Sequence, residues 1–149
     1  MANNLDEKDT AIIHELRRSC RLSARKLAKK LGMHPATLLQ RMRRLEGEGV
    51  IKGYVADIDY LKMGYEFMAM VEISIRGDIL KVQEQIKNMA GVVAVYDVTG
   101  ETDSVVIAMC KSRAELSRLI KSIRKLAGVE KTNTHVILNV VKDMGEFIP

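Results

Sequence analysis

Four polar side chains in the segment PATLLQRMRRL have the types and the spacing to form one hydrogen-bonding surface. Their spacing of i, i+3, i+4 and i+7 places them along one side of an α-helix. They are Thr37, Gln40, Arg41 and Arg44. Glutamine and arginine make paired hydrogen bonds to planar polar groups, and arginine also binds phosphate. The preceding segment adds a set of cations, namely Arg25, Lys26, Lys29 and Lys30. Together these residues have the chemistry to bind a polyanion.

The positive charge of the chain is concentrated in the same region. The 149 residues carry a net charge of +5, and residues 1–53 alone carry +6, with 12 Lys and Arg against 6 Asp and Glu. Between residues 17 and 44 there are ten basic residues and no acidic one. Such a density repels itself unless solvent or a polyanion compensates it. Charge alone leaves a solvated surface and nucleic-acid binding as alternatives, so the helical pattern must distinguish them.

Two helices are predicted before the segment that carries the four polar side chains. The first covers about residues 6–19, because acidic residues lie at its beginning and basic residues at its end. Ser23 can cap a second, short helix, and Gly32 follows it as a helix-ending residue. The second helix therefore carries the cations that precede Gly32.

Pro35 suits the first turn of a third helix, whose apolar stripe is Leu38, Met42 and Leu45. A second and third helix joined by a glycine-containing turn form a helix-turn-helix. In this motif the third helix enters the major groove of double-stranded DNA, while the cations of the second helix contact phosphates. The pattern thus favours DNA binding, with base contacts from the four polar side chains.

In the second half of the chain, the hydrophobic pattern becomes that of β-strands. Residues 67–75 alternate between apolar and other side chains, and helix patterns follow at 79–89 and 116–123. VVAVYDV and SVVIAMC form two further strands around the turn TGETD, and a last strand is predicted through Thr132, Thr134, Val136, Leu138 and Val140. Ala-Gly-Val ends both helices, at residues 90–92 and again 37 residues later at 127–129. The order βαββαβ is typical of a ferredoxin-like domain.

The predicted organisation is therefore an α+β chain of two domains. Residues 1–60 form a helix-turn-helix or winged helix, in which Val50–Asp59 is a strand or a connector, and residues 61–149 form the ferredoxin-like domain. A sheet that helices cover on one side leaves its other face to be buried by something else. Self-association is the simplest way to cover that face.

Several classes of protein are not indicated by the sequence. The apolar runs are too short to cross a bilayer and the first residues lack a signal peptide pattern, so we expect a cytoplasmic protein without a membrane partner. Cys20 and Cys110 match no disulfide, metal or redox spacing. The glycines of GEGVIKG close a helix and open a strand, which is the reverse of a dinucleotide-binding loop. We therefore expect neither a metal nor a cofactor.

The chain resembles the Lrp/AsnC (feast/famine) transcription regulators over essentially its whole length. LDEKDTAIIHEL and LSARKLAKKLGMHPATLLQRMRRLEGEGVIKGYVADID are similar to the helix-turn-helix and hinge of that family. TGETDSVV is similar to the Gly-x-x-Asp turn of its C-terminal domain, the RAM or AsnC-type domain. One departure is His34, where the family commonly has a serine that caps the recognition helix. This change affects the helix cap and one candidate DNA contact.

The resemblance implies a DNA-binding regulator built from homodimers, often assembled into octamers. It also implies that the C-terminal domains bind an amino acid or a related small effector between subunits. A free amino acid needs N–H donors for its carboxylate and acceptors for its ammonium group. The candidate effector residues are Gly100, Glu101, Thr102 and Asp103, faced by Thr132 and Thr134 of another subunit. Without the resemblance, the same loop would be read as an ordinary hairpin turn.

Two alternatives share this architecture. Siroheme decarboxylases have a similar two-domain organisation, but tetrapyrrole chemistry calls for His and Arg in the C-terminal domain. Of the three histidines, His14 and His34 lie in the first half, and His135 is alone on a predicted strand. No paired carboxylates or nucleophile-base set stand out. The other alternative is a regulator of the same fold that responds to no effector.

Overall fold

The structure is a computed structural model, and it describes residues 5–142. The chain divides into two compact units, of which the second is Ile58–Val141, and Lys142 is grouped with the first. Within residues 5–142, no helix is both long enough and apolar enough to cross a membrane.

The first unit contains the three predicted helices. They are α1 (Glu7–Arg18), α2 (Ala24–Lys30) and α3 (Pro35–Gly47). A small core holds them together, formed by the buried side chains Ile12, Leu27, Ala28, Leu38 and Leu45. Since Ala28 is small and fully buried, α2 and α3 can approach each other closely. The arrangement is a helix-turn-helix preceded by a supporting helix.

Each of the three helices has a side chain that caps its first turn. At α1, Asp6 and Asp9 form a capping box in which each carboxylate accepts the backbone N–H of the other, at 2.9 and 3.1 Å. Ser23 caps α2 through the N–H of Lys26. His34 caps α3, because its Nδ1 accepts the N–H of Ala36 at 3.3 Å. Histidine thus replaces the expected serine as the cap of α3.

Residues 48–66 form a connector without a strand, so the winged alternative is not realised within this segment. An extended segment needs a neighbouring strand to take its backbone hydrogen bonds, and among residues 5–142 the connector pairs with no strand. Several of its apolar side chains stay in solvent, and Val55 is 84% exposed.

The second unit has the predicted βαββαβ order. Its elements are β1 (Phe67–Ile75), α4 (Ile79–Lys87), β2 (Val92–Asp97), β3 (Ser104–Cys110), α5 (Arg113–Arg124) and β4 (Val129–Ile137). The strands form one antiparallel sheet in the order β2-β3-β1-β4. This confirms the predicted α+β class and the ferredoxin-like topology.

The two faces of this sheet differ in burial. The core lies on the helix-covered face, where Val71, Ile73 and Val106 pack with Ile86 and Ile123 from the two helices. On the other face the alternate residues of the same strands stay partly exposed. We call this surface the open sheet face, and its members include Met68, Met70, Glu72, Ala94, Tyr96, Val105, Ile107, Met109, His135 and Ile137.

The last strand begins and ends three residues earlier than the sequence predicts. It ends at Ile137, which pairs with Met68 near the beginning of β1. Leu138 is 95% exposed and Val140 also lies outside the strand. The alternating pattern continues beyond Ile137, but β1 has only Phe67 before Met68 and Phe67 pairs with β3 alone, so the extension of the strand to Val140 is wrong.

In this unit, each helix is connected to the following strand by a glycine-containing turn of the same geometry. We call these turns the joints at Gly91 and Gly128. The carbonyl of Gly91 accepts the N–H of Met109 at 2.8 Å, and the carbonyl of Gly128 accepts the N–H of Arg76 at 2.7 Å. A Cβ atom at Gly91 would lie 3.1 Å from the Met109 carbonyl, and one at Gly128 would lie 3.0 Å from the Arg76 carbonyl. Both glycines also have positive φ, of 87° and 98°. These two positions therefore require glycine.

Candidate DNA-binding surface and effector loop

The four polar side chains predicted on α3 do not share one environment. Thr37 and Gln40 are exposed, whereas Arg41 is half-buried and Arg44 turns toward α1. All four line a groove of about 530 Å³ together with Asp6 and Asp9. Their common side thus faces the acidic beginning of α1.

An ion-pair cluster joins α1 to α3 on this side. Arg41 Nη1 lies 2.7 Å from Asp6 Oδ2 and 2.8 Å from Asp9 Oδ1, and Arg44 pairs with the other oxygen of Asp9. Asp9 is fully buried. Burial raises the pKa of Asp9, but hydrogen bonds from Arg44, from the Asp6 backbone and from Arg41 outweigh burial and lower its pKa to about 2. We call these four residues the α1–α3 clamp.

The clamp changes what a substitution of either arginine would do. Replacing Arg41 or Arg44 removes a partner of a buried carboxylate, and such losses destabilise a fold. Either change is therefore expected to lower the stability of the first unit. The assignment of Arg41 and Arg44 to base contacts stays a prediction.

The cations predicted to contact phosphates lie on the exposed side of α2. Arg25, Lys26, Lys29 and Lys30 are all exposed. Lys30 forms an ion pair with Glu15 of α1, while within residues 5–142 the structure gives Lys29 no ion pair. Lys29 is thus better placed than Lys30 to contact an external anion.

Sequence reasoning missed Arg43. This residue is exposed on α3, and no carboxylate within residues 5–142 forms an ion pair with it. His34 is also exposed at the beginning of the same helix, where its ring already serves as the cap. The periodicity could have found Arg43, because it lies seven residues after Ala36 and three after Gln40 on the side opposite Leu38.

The candidate effector loop connects β2 to β3. Gly100 has φ of 130°, which favours glycine, and the carboxylate of Glu101 is exposed. Asp103 is instead tied to β1, because its Oδ2 accepts the N–H of Ile75 at 2.7 Å and its own N–H donates to the Ile73 carbonyl. Asp103 therefore anchors the loop, whereas the exposed carboxylate of Glu101 is available to a ligand.

A second set of hydrogen bonds, unforeseen from the sequence, supports this loop. Gln83 of α4 donates to Asp97 at 3.1 Å and to the buried hydroxyl of Ser104 at 2.6 Å. Asp97 and Ser104 lie at the two ends of the loop. This network and the Asp103 anchor fix both sides of the loop.

Thr132 and Thr134 are not beside the loop within one chain. Ile73 of β1 pairs with Ser104 on one side and with Thr132 on the other, so β1 separates the loop from β4. Two strand spacings amount to about 10 Å. The threonines are half-buried on the helix-covered side of an edge strand. Only a neighbouring subunit could bring them to the loop, as the resemblance implies.

A larger groove of about 660 Å³ lies elsewhere in the second unit, lined by Tyr65, Gly91, Lys111 and Arg118 among others. None of the six predicted effector residues lines this groove. Within residues 5–142 there is also no group of three or more His, Cys, Asp or Glu placed to hold a metal ion.

One polar cluster interrupts the open sheet face. Glu72 Oε2 accepts a hydrogen bond from Asn133 at 2.9 Å and lies 3.2 Å from His135 Nε2. Hydrogen bonds from Asn133 and then His135 hold the pKa of Glu72 below its usual range. His135 thus has a carboxylate and an amide as neighbours.

The sequence matches two family models. Residues 5–46 match the AsnC-type helix-turn-helix domain, and residues 68–147 match the Lrp/AsnC ligand binding domain. An uncharacterized HTH-type transcriptional regulator of Pyrococcus furiosus is 42% identical over 93% of this chain and 95% of its own length. The HTH-type transcriptional regulator FL11 of the same organism is 31% identical over 99% of this chain and 98% of its own. These names support a regulator over the decarboxylase-like alternative.

Solved structures show the same architecture. The feast or famine regulatory protein of M. tuberculosis, complexed with L-methionine, has a TM-score of 0.89 at 29% identity, with 97% of this chain and 99% of that chain covered. LrpC of B. subtilis has a TM-score of 0.87 at 27% identity and covers 94% of this chain and 99% of its own. The chain therefore belongs to the Lrp/AsnC family of transcriptional regulators, with an N-terminal helix-turn-helix and a C-terminal ligand binding domain.

Proposed function

We propose that this regulator binds specific DNA sites as a homodimer or a higher assembly, and that an amino acid bound between its second units controls it. The observation that carries the DNA-binding part is the exposed, cationic side of α2 next to α3 in a helix-turn-helix. Lys29 with Arg25 and Lys26 contact phosphates in this proposal, and α3 enters the major groove.

The contribution of α2 can be tested through the salt dependence of DNA binding. Lys29→Ala is expected to lower affinity for all duplexes and to make the slope of log K against log salt shallower by about 0.9, because one phosphate contact releases fewer counterions. Fluorescence anisotropy with one labelled duplex between low and moderate salt measures this slope. Lys30→Ala is the matched control, since the ion pair with Glu15 already neutralises Lys30. Equal slopes for Lys29→Ala and the wild type would contradict the phosphate contact.

The homodimer is supported by the open sheet face. Met70, Ile107 and Met109 lie there side by side without a covering helix. Contiguous apolar surface of this kind usually marks an interaction site. A second copy presents the same surface, so a two-fold arrangement buries both faces at once. Assembly beyond this dimer, up to the octamer, is part of the same proposal.

The amino-acid effector is supported by the loop and by one solved relative. The M. tuberculosis protein is described as complexed with L-methionine. In this chain the loop at Gly100 is fixed at both ends, and it carries the exposed carboxylate of Glu101. We propose that Glu101 pairs with the ammonium group of the effector, that Gly100 and Thr102 bind its carboxylate through N–H and hydroxyl groups, and that Thr132 and Thr134 of another subunit close the site.

A thermal screen tests the effector. The correct amino acid is expected to stabilise the protein by about 2.7 kcal/mol when its concentration is a hundred times its dissociation constant. Glu101→Gln should abolish this response and leave the melting temperature without amino acid unchanged, since the Glu101 carboxylate is exposed. Differential scanning fluorimetry with each common amino acid measures both quantities.

The matched control for this screen is Glu66→Gln, which removes an exposed carboxylate elsewhere in the second unit. Asp103→Ala should behave differently from Glu101→Gln, because it removes the anchor to Ile75 and lowers the melting temperature even without an amino acid. If no common amino acid changes melting temperature, assembly size or DNA affinity, the effector proposal fails and the effector-independent regulator takes its place.

A further inference from the structure

We infer that α3 reads DNA bases through Ala36, Gln40 and Arg43, and that Arg41 and Arg44 position the helix without contacting bases. The inference rests on the DNA-binding function proposed above and specifies which side of α3 faces the DNA. Of the four base-contacting residues that sequence periodicity favours, it keeps Gln40 and replaces Thr37, Arg41 and Arg44.

Helix geometry defines the side of α3 that is available. An α-helix turns by about 100° per residue, so Ala36, Gln40 and Arg43 fall within about 60° of one another. They lie opposite Leu38 and Leu45, whose side chains are fully buried in the core. Ala36, Gln40 and Arg43 are all exposed. The side of α3 that a groove can reach is therefore centred on Ala36, Gln40 and Arg43.

Arg41 and Arg44 lie on a flank of α3 and are already occupied. Arg41 binds both Asp6 and Asp9, and Arg44 binds Asp9. Moving either guanidinium outward toward a base would weaken its hydrogen bonds to a carboxylate that is fully buried. An unpaired buried charge is costly, so the two arginines stay with Asp9 when DNA binds. Their pairing also removes most of the positive charge from this flank.

Arg43 retains the full hydrogen-bonding capacity that base recognition needs. Within residues 5–142 it has no ion pair, and its guanidinium can donate two parallel bonds to O6 and N7 of guanine. Gln40, one turn earlier, can pair in the same way with N6 and N7 of adenine. Ala36 is small enough for close contact with a thymine methyl group. The partner is thus a duplex whose major groove presents these three groups along about two turns of α3.

A selection followed by two binding measurements tests the inference. The wild type selects its preferred sequence from a random-sequence duplex library, and affinity is then measured for the enriched duplex and for a scrambled duplex of the same composition. Arg43→Ala should weaken binding to the enriched duplex by about 5- to 150-fold, with a much smaller loss on the scrambled one. Arg43→Lys should keep the affinity for scrambled DNA and lose the preference at one base pair, because lysine keeps the charge but not the paired donors.

Arg44→Ala is the matched variant on the same helix. It should lower the melting temperature while the folded protein keeps its preference for the enriched duplex. The inference is overturned if Arg44→Ala melts like the wild type and loses that preference, or if both Arg43 variants discriminate between the duplexes as the wild type does. A wild type that binds neither duplex would contradict the proposed DNA-binding function itself, and the inference with it.

Discussion

Asp9→Asn is expected to lower the free energy of unfolding of the helix-turn-helix unit by about 1.5 to 3 kcal/mol, the usual contribution of hydrogen bonds to charged groups. The carboxylate of Asp9 is buried and joins α1 to two arginines of α3. Asparagine has the same size but no charge, so the change removes the ion pairs without creating a cavity. In a unit this small, each kcal/mol corresponds to roughly 4 to 8 °C in melting temperature. Thermal denaturation followed by circular dichroism measures the shift.

The same pairing makes the stability of this unit depend on acid. The pKa of Asp9 is about 2 in the folded chain, below its ordinary value of 3.8. A carboxyl whose pKa is depressed by folding stabilises the fold fully above its unfolded pKa. The stabilisation is lost as the pH falls from about 4 toward 2, because protonation then breaks the ion pairs. Asp9→Asn should remove this part of the acid sensitivity.

Glu7→Gln is the matched control for Asp9→Asn. Glu7 is an exposed acid in the same first turn of α1, and within residues 5–142 it takes part in no ion pair. Its replacement removes the same charge near the same helix end, which isolates the effect of the clamp from that of the helix dipole. If both variants melt at the same temperature, the clamp contributes nothing beyond the helix dipole.

Ile107→Lys is expected to convert the proposed homodimer into a monomer at micromolar concentration. Ile107 is at the centre of the open sheet face, between Met70 of β1 and Ala94 of β2. A two-fold interface receives each substitution twice, so two like charges would be taken out of water without partners. Sedimentation equilibrium should then give a mass near 16.7 kDa, and the wild type is expected to give at least twice that value.

Leu80→Lys serves as the control for this experiment. Leu80 is 73% exposed on α4, in the helix layer on the other side of the sheet. The same apolar-to-charged change at this position should leave the dimer mass unchanged. A monomer from both variants would point to loss of the fold, and a dimer from Ile107→Lys would contradict the assignment of the open sheet face.

The sequence predicted most of the fold because its signals are local. Capping residues such as Ser23, the breaker Pro35 and the two periodicities mark the elements within a few residues of where the structure has them. The end of β4 was placed three residues too late, because the alternation after Ile137 carries no information about where the pairing with β1 stops.

The contacts of the candidate DNA-binding surface were harder to predict from the sequence. Periodicity shows that Arg41 and Arg44 share a side of α3, but not which other helix lies against that side. Asp6 and Asp9 are more than 30 positions away, and they were understood only as favourable charges at a helix N-terminus. The role of Asp103 was missed for the same reason, because the N–H of Ile75 that it binds belongs to another strand.

The joints at Gly91 and Gly128 bear on the ancestry of the second unit. A repeated Ala-Gly-Val 37 residues apart invites the view that an ancestral half was duplicated. At each joint, however, a backbone carbonyl lies about 3 Å from the place of a Cβ atom, and the glycine has positive φ. Selection for folding would retain glycine at both places whether or not the halves share an origin. The repeated glycine is thus the result of one steric requirement met twice, and it carries little weight as a record of descent.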